Sequence, residues 1–212
     1  MENSKGKAAF FGEITASVTH ELQNVLAIIK ENSGLMEDIL LMGQSSESEL
    51  GEKLHKSLGS IKKQVSRGVN LTSKLNGFSH TTDHVEAHIN INDTLKRLIF
   101  LTGRITKLKG VEITIKETEK QPSFLTDSVL FQVAAYLCIK CLVNILKPNT
   151  KISVIVADGT IKFRCDNTDT QGNDLVEKII ISPKWAEINR TCRQVNLKAE
   201  VTTELPGIIL TF

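Results

Sequence analysis

The chain has 212 residues, of which 41% are hydrophobic and 24% are charged, so its composition excludes a disordered or fibrous protein. Its 26 basic and 24 acidic side chains nearly cancel and no basic run stands out, which argues against a nucleic-acid partner. It has no run of eighteen consecutive apolar residues and no signal-peptide pattern, so we expect a cytoplasmic protein with no membrane partner.

The first half of the sequence predicts two long amphipathic helices. Apolar residues recur every three or four positions from about residue 8, at Phe11, Ile14, Val18, Leu22, Val25 and Ile29. After a small and polar break at Gly43 the spacing resumes and runs to about Phe78, through Leu50, Leu54, Leu58, Ile61 and Val65. The two helices are expected to form a hairpin, and two hairpins paired as a four-helix bundle would bury both apolar stripes. We therefore expect a homodimer.

The segment after the second helix carries three histidines, His80, His84 and His88, spaced four residues apart. They would share one face of a helix and could bind a metal if the segment were helical. However, the apolar residues alternate as in a strand, at Val85, Ala87, Ile89 and Ile91, and no carboxylate or cysteine cluster completes a ligand set. We predict a linker here and no metal.

Residues 83–212 are predicted to form an α/β sandwich with helices on one face of a mixed sheet. "INDTLKRLIFLTGRITKLKG" predicts a helix that opens at an Asn or Asp cap and closes at Gly110, and "VEITIKE" then alternates like a strand. The apolar stretch from Val129 to Leu146 predicts a buried helix. The expected class is therefore α+β, an N-terminal helical hairpin followed by an α/β sandwich.

Two strand hairpins are predicted beyond the buried helix. "KISVIVADGTIKFRCDN" contains two β-rich runs joined at Asp158 and Gly159, a pair that favours a tight turn. The tail predicts a helix and a last hairpin that turns at Pro206 and Gly207. The four cysteines form no disulfide framework, and the single CxxC lies inside the apolar run before residue 146, so we interpret it as helical packing and not as a zinc site.

His20, in the first helix, is a candidate reactive group. It lies two positions from Val18, so it points away from the apolar stripe, and Asn24 is one turn further on the same side. Small neighbours, Ala16 and Ala27, leave room for another protein to approach. A neutral imidazole can attack phosphorus, the adjacent Glu21 carboxylate could fix its tautomer, and Asn24 could position a water for the reverse hydrolysis. On spacing alone, His20 is equally consistent with a solvated polar residue.

The segment "FGEITASVTHELQNVLAII" resembles the phosphoacceptor box of two-component histidine kinases. The box is matched by His20, Glu21, Leu22, Asn24 and Leu26, while Val25 replaces the usual proline. The likeness continues through "RGVNLTSKLNGFSH" and "LKGVEITIK" and so covers nearly the whole chain. It implies a dimeric helical phosphoacceptor domain over residues 1–82 and an ATP-binding type of sandwich over residues 83–212.

The resemblance breaks at the positions that bind ATP in this family. Tyr136 and Lys140 stand at the two asparagine positions of the long helix, one of which holds magnesium in the family, and Asn144 lies a turn too late. A protonated lysine cannot ligate magnesium. Asp166 is kept and is implied to be a vestigial adenine contact. Beyond it, both glycines of the next element are replaced, by Thr168 and Thr170, and the glycine-rich lid has no counterpart between Asn173 and Trp185.

The chain keeps the residues of the histidine box but has lost those of the nucleotide site. In this combination it resembles the histidine phosphotransferases that are built as degenerate kinases. The resemblance implies that His20 passes a phosphoryl group between the aspartates of response-regulator receiver domains, with no cofactor of its own and with magnesium supplied by the receiver. Two alternatives stay open. One is a divergent kinase that still autophosphorylates from ATP, and the other is a dimeric scaffold or regulator that docks receivers without transferring phosphate.

Overall fold

The computed structural model describes residues 2–42, 47–116, 122–157, 159–166, 172–204 and 206–212. The helix α1 spans Glu2–Met42 and α2 spans Glu47–Ser79. The two helices run antiparallel, since Phe10 packs on Phe78 while Gly68 packs against Val25. The predicted hairpin is confirmed, whereas the predicted start of α1 near residue 8 is wrong. The helix begins six residues earlier, at Glu2, and the added residues 2–7 are polar or glycine and so add nothing to the apolar pattern.

The apolar stripe of α1 is buried more completely than that of α2. Ile14, Val18 and Val25 are buried, with Phe11, Leu22 and Ile29 packed against them. On α2, Leu71 and Phe78 are buried, but Leu58 and Val65 remain 44% and 48% exposed. Within one copy of the chain, α2 therefore leaves part of its predicted stripe in solvent.

Two capped helices form the first layer of the α/β domain. The helix α3, Ile91–Leu108, begins at Asn90, whose side chain accepts a hydrogen bond from the Asp93 amide, and the chain leaves it at Gly110 with a φ of 67°. The helix α4, Ser128–Ile145, is capped in the same way by Asp127. Both predicted helices are confirmed.

The second layer is a five-stranded mixed sheet in the order β2-β4-β5-β7-β6. The strands β2 (Val111–Lys116) and β4 (Thr150–Ala157) are parallel. The other neighbours are antiparallel, with β5 at Thr160–Asp166, β6 at Lys198–Thr202 and β7 at Gly207–Thr211. The predicted fold class is therefore confirmed. Gly159, with a φ of 73°, lies in the predicted turn between β4 and β5.

Several short elements were absent from the prediction. The strands β1 (Ala87–Asn90) and β3 (Ser123–Thr126) pair as a separate two-stranded sheet, and a 3₁₀ turn precedes β1 at His80–Thr82. The helix α5, Gly172–Ile181, precedes the predicted tail helix α6, Pro183–Gln194. The strand-like alternation at Ala87 and Ile89 coincides with β1, although the segment is predicted to be a linker. The strand β3 has only four residues and α5 buries only Leu175 and Ile179, so neither gives a clear periodic signal.

The helix α4 is the centre of the domain, with 15 of its 18 residues buried. Of the described residues, this helix alone is long and apolar enough to cross a membrane, and 83% of it is buried inside the structure, as in the core of a folded domain. Cys138 and Cys141 are buried on it, as predicted. Burial raises the pKa of the thiols of Cys165 and Cys192 to about 12, so these two cysteines also stay protonated.

The hairpin and the α/β domain meet in a packed junction. Its centre is an aromatic cluster in which the rings of Phe10 and Phe78 lie 5.4 Å apart and those of Phe10 and Tyr136 lie 5.2 Å apart. The buried Ser17 hydroxyl donates to the Leu101 carbonyl at 3.3 Å. The junction therefore joins α1 and the end of α2 to both α3 and α4.

Polar contacts extend the junction on both sides of the aromatic cluster. Lys7 Nζ lies 2.9 Å from the carboxylate of Asp127, which caps α4. The Arg97 guanidinium donates to the Gly77 carbonyl near the end of α2. These contacts hold the α/β domain against the half of the hairpin that contains the start of α1 and the end of α2. We call this the lower half of the hairpin.

Candidate functional site

His20 is exposed on α1, as the sequence pattern predicts. Four residues lie within about 60° of one another on the same side of this helix, at spacings of four, three and four: Glu13, Ser17, His20 and Asn24. Glu13 and Ser17 contact the α/β domain, whereas His20 and Asn24 lie beyond the junction and face solvent. Ala16 and Ala27 are exposed as well, so the surface around the imidazole is open.

Glu21 contacts α2 and not the imidazole. Its carboxylate forms an ion pair with Arg67, and among the described residues no hydrogen bond joins Glu21 to His20. The sequence reasoning missed Arg67. Phe10 packs on Phe78 in the antiparallel hairpin, so residues that lie eleven positions further along α1 and eleven positions earlier on α2 are also neighbours. These are residues 21 and 67, and the pairing of the two helices therefore predicts this ion pair.

Tyr136 and Lys140, which stand where the sequence resemblance would place two asparagines, both bind Glu13. The Tyr136 hydroxyl donates to the Glu13 carboxylate, and Lys140 Nζ lies 2.6 Å from each of its two oxygens. We call these three residues the Glu13 clamp. Asn144, one turn beyond Lys140, is exposed. The two positions that would face a nucleotide in the family are thus used to join α4 to α1.

The electrostatics of the Glu13 clamp favour the charged carboxylate. Burial raises the pKa of Glu13, but hydrogen bonds from Lys140 and Tyr136 and the charges of Lys140 and Lys184 outweigh it and hold the pKa below its ordinary value of 4.5. Burial and the hydrogen bond to Glu13 raise the pKa of Tyr136. The clamp therefore holds one negative and one positive charge across the pH range of most cells.

The Glu13 clamp should make the stability of the protein depend on pH. A folded-state pKa below the unfolded one contributes stability that is complete above the unfolded pKa and is lost as the pH falls through the folded one. We expect Glu13→Gln to cost about 1 kcal/mol at neutral pH and to lose less stability than the wild type below pH 4.5. Urea unfolding at a series of pH values measures both effects. Glu37→Gln, at an exposed position on the same helix, is the matched control. Equal slopes for wild type and Glu13→Gln would contradict the assignment.

Asp166, the predicted vestigial adenine contact, lies on the face of the sheet away from the core. On β5 the buried side chains are those of Ile161, Phe163 and Cys165, so Asp166 belongs to the opposite face. Its Oδ1 lies 2.6 Å from Arg164 Nε, and the Ser153 hydroxyl donates to its Oδ2.

Both carboxylate oxygens of Asp166 therefore already have protein partners. Burial raises the pKa of Asp166, but the hydrogen bonds and nearby positive charges lower it further, so the carboxylate stays ionised. Asp166 points to the face of the sheet away from the core, and both of its carboxylate oxygens accept hydrogen bonds from the protein. Neither feature fits a contact with adenine.

The region predicted to lack a phosphate-covering lid is largely helical. Thr168 and Thr170 lie outside the described residues, and the stretch from Asn173 to Trp185 forms most of α5 and the start of α6. These helices pack on α4. Gly172, at the start of α5, is so close to the Thr203 carbonyl that a Cβ there would lie 2.5 Å from the oxygen. Among the described residues, α5 and α6 therefore cover part of α4 where the resemblance would place the lid.

The three histidines after the hairpin belong to different elements. His80 is in the 3₁₀ turn and pairs with Asp83 at 2.8 Å, His84 lies in the link, and His88 is on β1. They therefore do not share a helix face. Among the described residues there is no group of three or more His, Cys, Asp or Glu side chains that could hold a metal ion.

Comparison with known proteins finds solved structures with a similar fold but no protein of similar sequence. No family model matches the chain, and no curated protein matches it. The cytoplasmic segment of histidine kinase QseC aligns over 69% of this chain and 91% of its own, with 12% identity and a TM-score of 0.47. The Acinetobacter baumannii histidine kinase AdeS aligns over 91% and 95%, with 12% identity and a TM-score of 0.43.

A third solved structure contains a partner protein. Histidine kinase ThkA, in complex with the response regulator TrrA, aligns over 97% of this chain and 62% of its own. The identity is 15% and the TM-score 0.44. Identities this low say nothing about activity, so the function has to be argued from the residues of the site.

Proposed function

We propose that this chain is a phosphorelay protein whose His20 accepts a phosphoryl group from the aspartyl phosphate of one receiver domain and donates it to another. The observation that carries the proposal is a contrast within one side of α1. His20 and Asn24 are exposed. Two turns below His20, Glu13 binds Tyr136 and Lys140, which stand at the two asparagine positions of the nucleotide site in histidine kinases, one of which binds magnesium. The chain thus keeps an accessible phosphoacceptor and has turned the ATP-binding positions to structural use.

The transfer step needs little chemistry from this chain. One ring nitrogen of His20 attacks phosphorus, the bond from phosphorus to the aspartyl oxygen breaks, and its electron pair returns to the partner's carboxylate. The other ring nitrogen keeps its proton, so the phosphorylated ring carries a positive charge until it transfers the phosphoryl group. The main contribution of α1 is to hold the imidazole in line with the aspartate and phosphorus.

Two neighbours of His20 have proposed supporting roles. The Glu21 carboxylate adjoins the imidazole in sequence and stabilises the positive ring, and the Arg67 ion pair fixes Glu21 to α2. To select the tautomer of the imidazole, the Glu21 carboxylate has to release Arg67 and turn towards the ring. Asn24, exposed one turn above His20, positions a water for hydrolysis of the receiver's phosphoryl group.

ATP and magnesium do not fit Lys140 and Asp166, the described residues at two of the positions compared. Lys140 is a cation that is already paired with Glu13, and a protonated amine cannot ligate Mg²⁺. Asp166 faces away from the core and is bound to Arg164. We therefore propose that the chain has no cofactor of its own and that the magnesium needed for transfer is held by the carboxylates of the receiver.

The experiment that tests the function is transfer from a receiver. A panel of receiver domains is phosphorylated with labelled acetyl phosphate, freed of the donor, and mixed with the purified chain and Mg²⁺. Acid-labile label on the chain within minutes is the expected result. Receivers that bind the chain without transferring label would favour the scaffold alternative. Label obtained from γ-labelled ATP without any receiver would favour the autokinase alternative.

A homodimer is part of the proposal. Four exposed apolar side chains lie on the hairpin, and we call them the hairpin patch: Leu26, Leu58, Val65 and Val69. Leu26 is about 180° around α1 from Ser17, so the patch faces away from the α/β domain. An apolar surface of this kind on a monomeric hairpin is best buried by a second copy.

Charge in the hairpin patch should separate the dimer. Val69→Glu places a carboxylate among the apolar side chains of the patch, and we expect it to weaken association by about 100-fold. Light scattering should then give a mass near 23.5 kDa for the variant and twice that mass for the wild type. Val85→Glu, at an exposed position outside the hairpin, is the control and should stay dimeric. A monomeric wild type would contradict the dimer.

A further inference from the structure

We propose that the α/β domain supplies one wall of the surface on which the receiver docks. The receiver would sit between α1 and the C-terminal half of α3, against His20 and Asn24 on one side and Arg104 and Leu108 on the other. We call this surface the junction notch. The inference rests on the proposed function, because it names where the partner of His20 binds.

The first step is a matched pair of stripes on α1 and α3. On α1 the stripe is Glu13, Ser17, His20 and Asn24, and on α3 the residues with the same spacing are Arg97, Leu101, Arg104 and Leu108. The lower two members of each stripe lie in the junction, where Arg97 binds Gly77 and Ser17 binds Leu101. The upper two members of each stripe extend beyond these contacts.

The second step is that the two helices run in the same direction. Arg97 contacts Gly77, next to Phe78, which packs on Phe10 near the start of α1. One turn further along α3, Leu101 contacts Ser17. Three residues above that contact, a rise of about 4.5 Å on each helix, lie His20 and Arg104. Both therefore stand at the same level, just past the point where the helices touch.

The third step is that the upper stripe of α3 is open. Leu108 is 70% exposed, although it belongs to the side of α3 that is packed two turns lower, at Leu101. Arg104 is half-buried, and among the described residues no carboxylate pairs with its guanidinium. An apolar and a cationic side chain thus line the wall that faces the exposed imidazole.

The fourth step is that this wall stays in place. The Glu13 clamp, the pair of Lys7 with Asp127 and the aromatic cluster hold the α/β domain on the hairpin about two to four turns below His20. A domain that had to carry ATP to the histidine would need freedom to move. Here the same residues provide a fixed surface, and preorganised surfaces bind with a smaller entropic cost.

The chemistry of the junction notch favours a receiver as its occupant. A receiver's phosphorylation site is a cluster of carboxylates around the reactive aspartate, and it must approach His20 closely. Arg104 complements that acidic rim, and Leu108 offers apolar contact beside it. The surface is continuous with the phosphoacceptor, so a receiver engaged with His20 is brought against this wall.

The test compares charge and polarity changes inside and outside the junction notch. The probe is the receiver domain that labels His20 fastest in the panel described above. We expect Arg104→Glu and Leu108→Glu each to raise the half-saturating receiver concentration about tenfold, with little change in the rate at saturation. The matched controls are Arg193→Glu on α6 and Ile181→Glu at the end of α5, both exposed.

The outcomes separate this inference from the function on which it rests. Label that reaches His20 with the same half-saturation in all four variants would overturn the junction notch and leave the relay intact. Failure of every receiver to label the wild type would overturn both. Arg104→Gln and Leu108→Ser form a second pair for use if a glutamate variant melts earlier than the wild type. Direct phosphorylation of His20 by potassium phosphoramidate, which needs no docking, should be equal in all variants.

Discussion

Replacing His20 by glutamine is expected to abolish label transfer from a phosphorylated receiver while leaving the fold and the dimer unchanged. The side chain is exposed on a long helix and forms no hydrogen bond with the described residues, so its loss should cost less than about 0.5 kcal/mol of stability. Glutamine keeps a polar group of similar reach but has no nucleophilic ring nitrogen. Transfer is measured with labelled receiver, and folding by circular dichroism and light scattering.

Two companions to His20→Gln make the assignment specific. His55→Gln changes an exposed histidine on α2 and should transfer at the wild-type rate. Asn24→Ala should still accept label but should slow the loss of phosphate from the receiver, because the proposed water-positioning amide is gone. Residual acid-labile label on His20→Gln would mean that another residue is the phosphoacceptor.

The elements that the sequence predicts well are those that local chemistry specifies. The spacing of apolar residues along α1 and α2, the Asn90 cap of α3 and the positive φ of Gly110 all depend on residues close together in the chain. The exposure of His20 follows from the same periodicity. These features need no knowledge of tertiary contacts, and each is present in the structure.

The features that escaped prediction depend on distant residues or on strand parity. Glu13 meets Tyr136 and Lys140 across more than 120 positions, so nothing near Lys140 indicates its partner. The sequence suggests that Lys140 damages a magnesium site, and the structure adds what the lysine does in its place. Asp166 is conspicuous as a retained carboxylate, but one step of strand register puts it on the face away from the core.

The difference between local and distant contacts also explains why the α3 side of the junction notch could not be predicted from the sequence. Arg104 and Leu108 belong to an ordinary amphipathic helix when α3 is considered alone. Their position beside His20 becomes apparent only from the contacts of Arg97 and Leu101, which fix the position of α3 along the axis of α1. A sequence carries the stripe on each helix, and packing decides which stripes meet.

Replacing Phe78 by alanine should destabilise the protein by about 3–5 kcal/mol. The ring is 1% exposed and lies 5.4 Å from that of Phe10 and 5.0 Å from that of Phe11, so its removal leaves a cavity in the centre of the junction. Phe100→Ala, a change of the same size at a side chain that is 37% exposed, should cost well under half as much. Urea unfolding at pH 7 measures both variants.

The Phe78 result also bears on how the junction serves function. If the aromatic cluster fixes the α/β domain beside His20, then Phe78→Ala should need more receiver for half-maximal transfer under conditions where it is still folded. Its reaction with potassium phosphoramidate should be unchanged, because the imidazole itself is untouched. A Phe78→Ala protein that lost stability but kept wild-type half-saturation would show that the two parts are joined for stability alone, and that His20 and α1 suffice for the receiver.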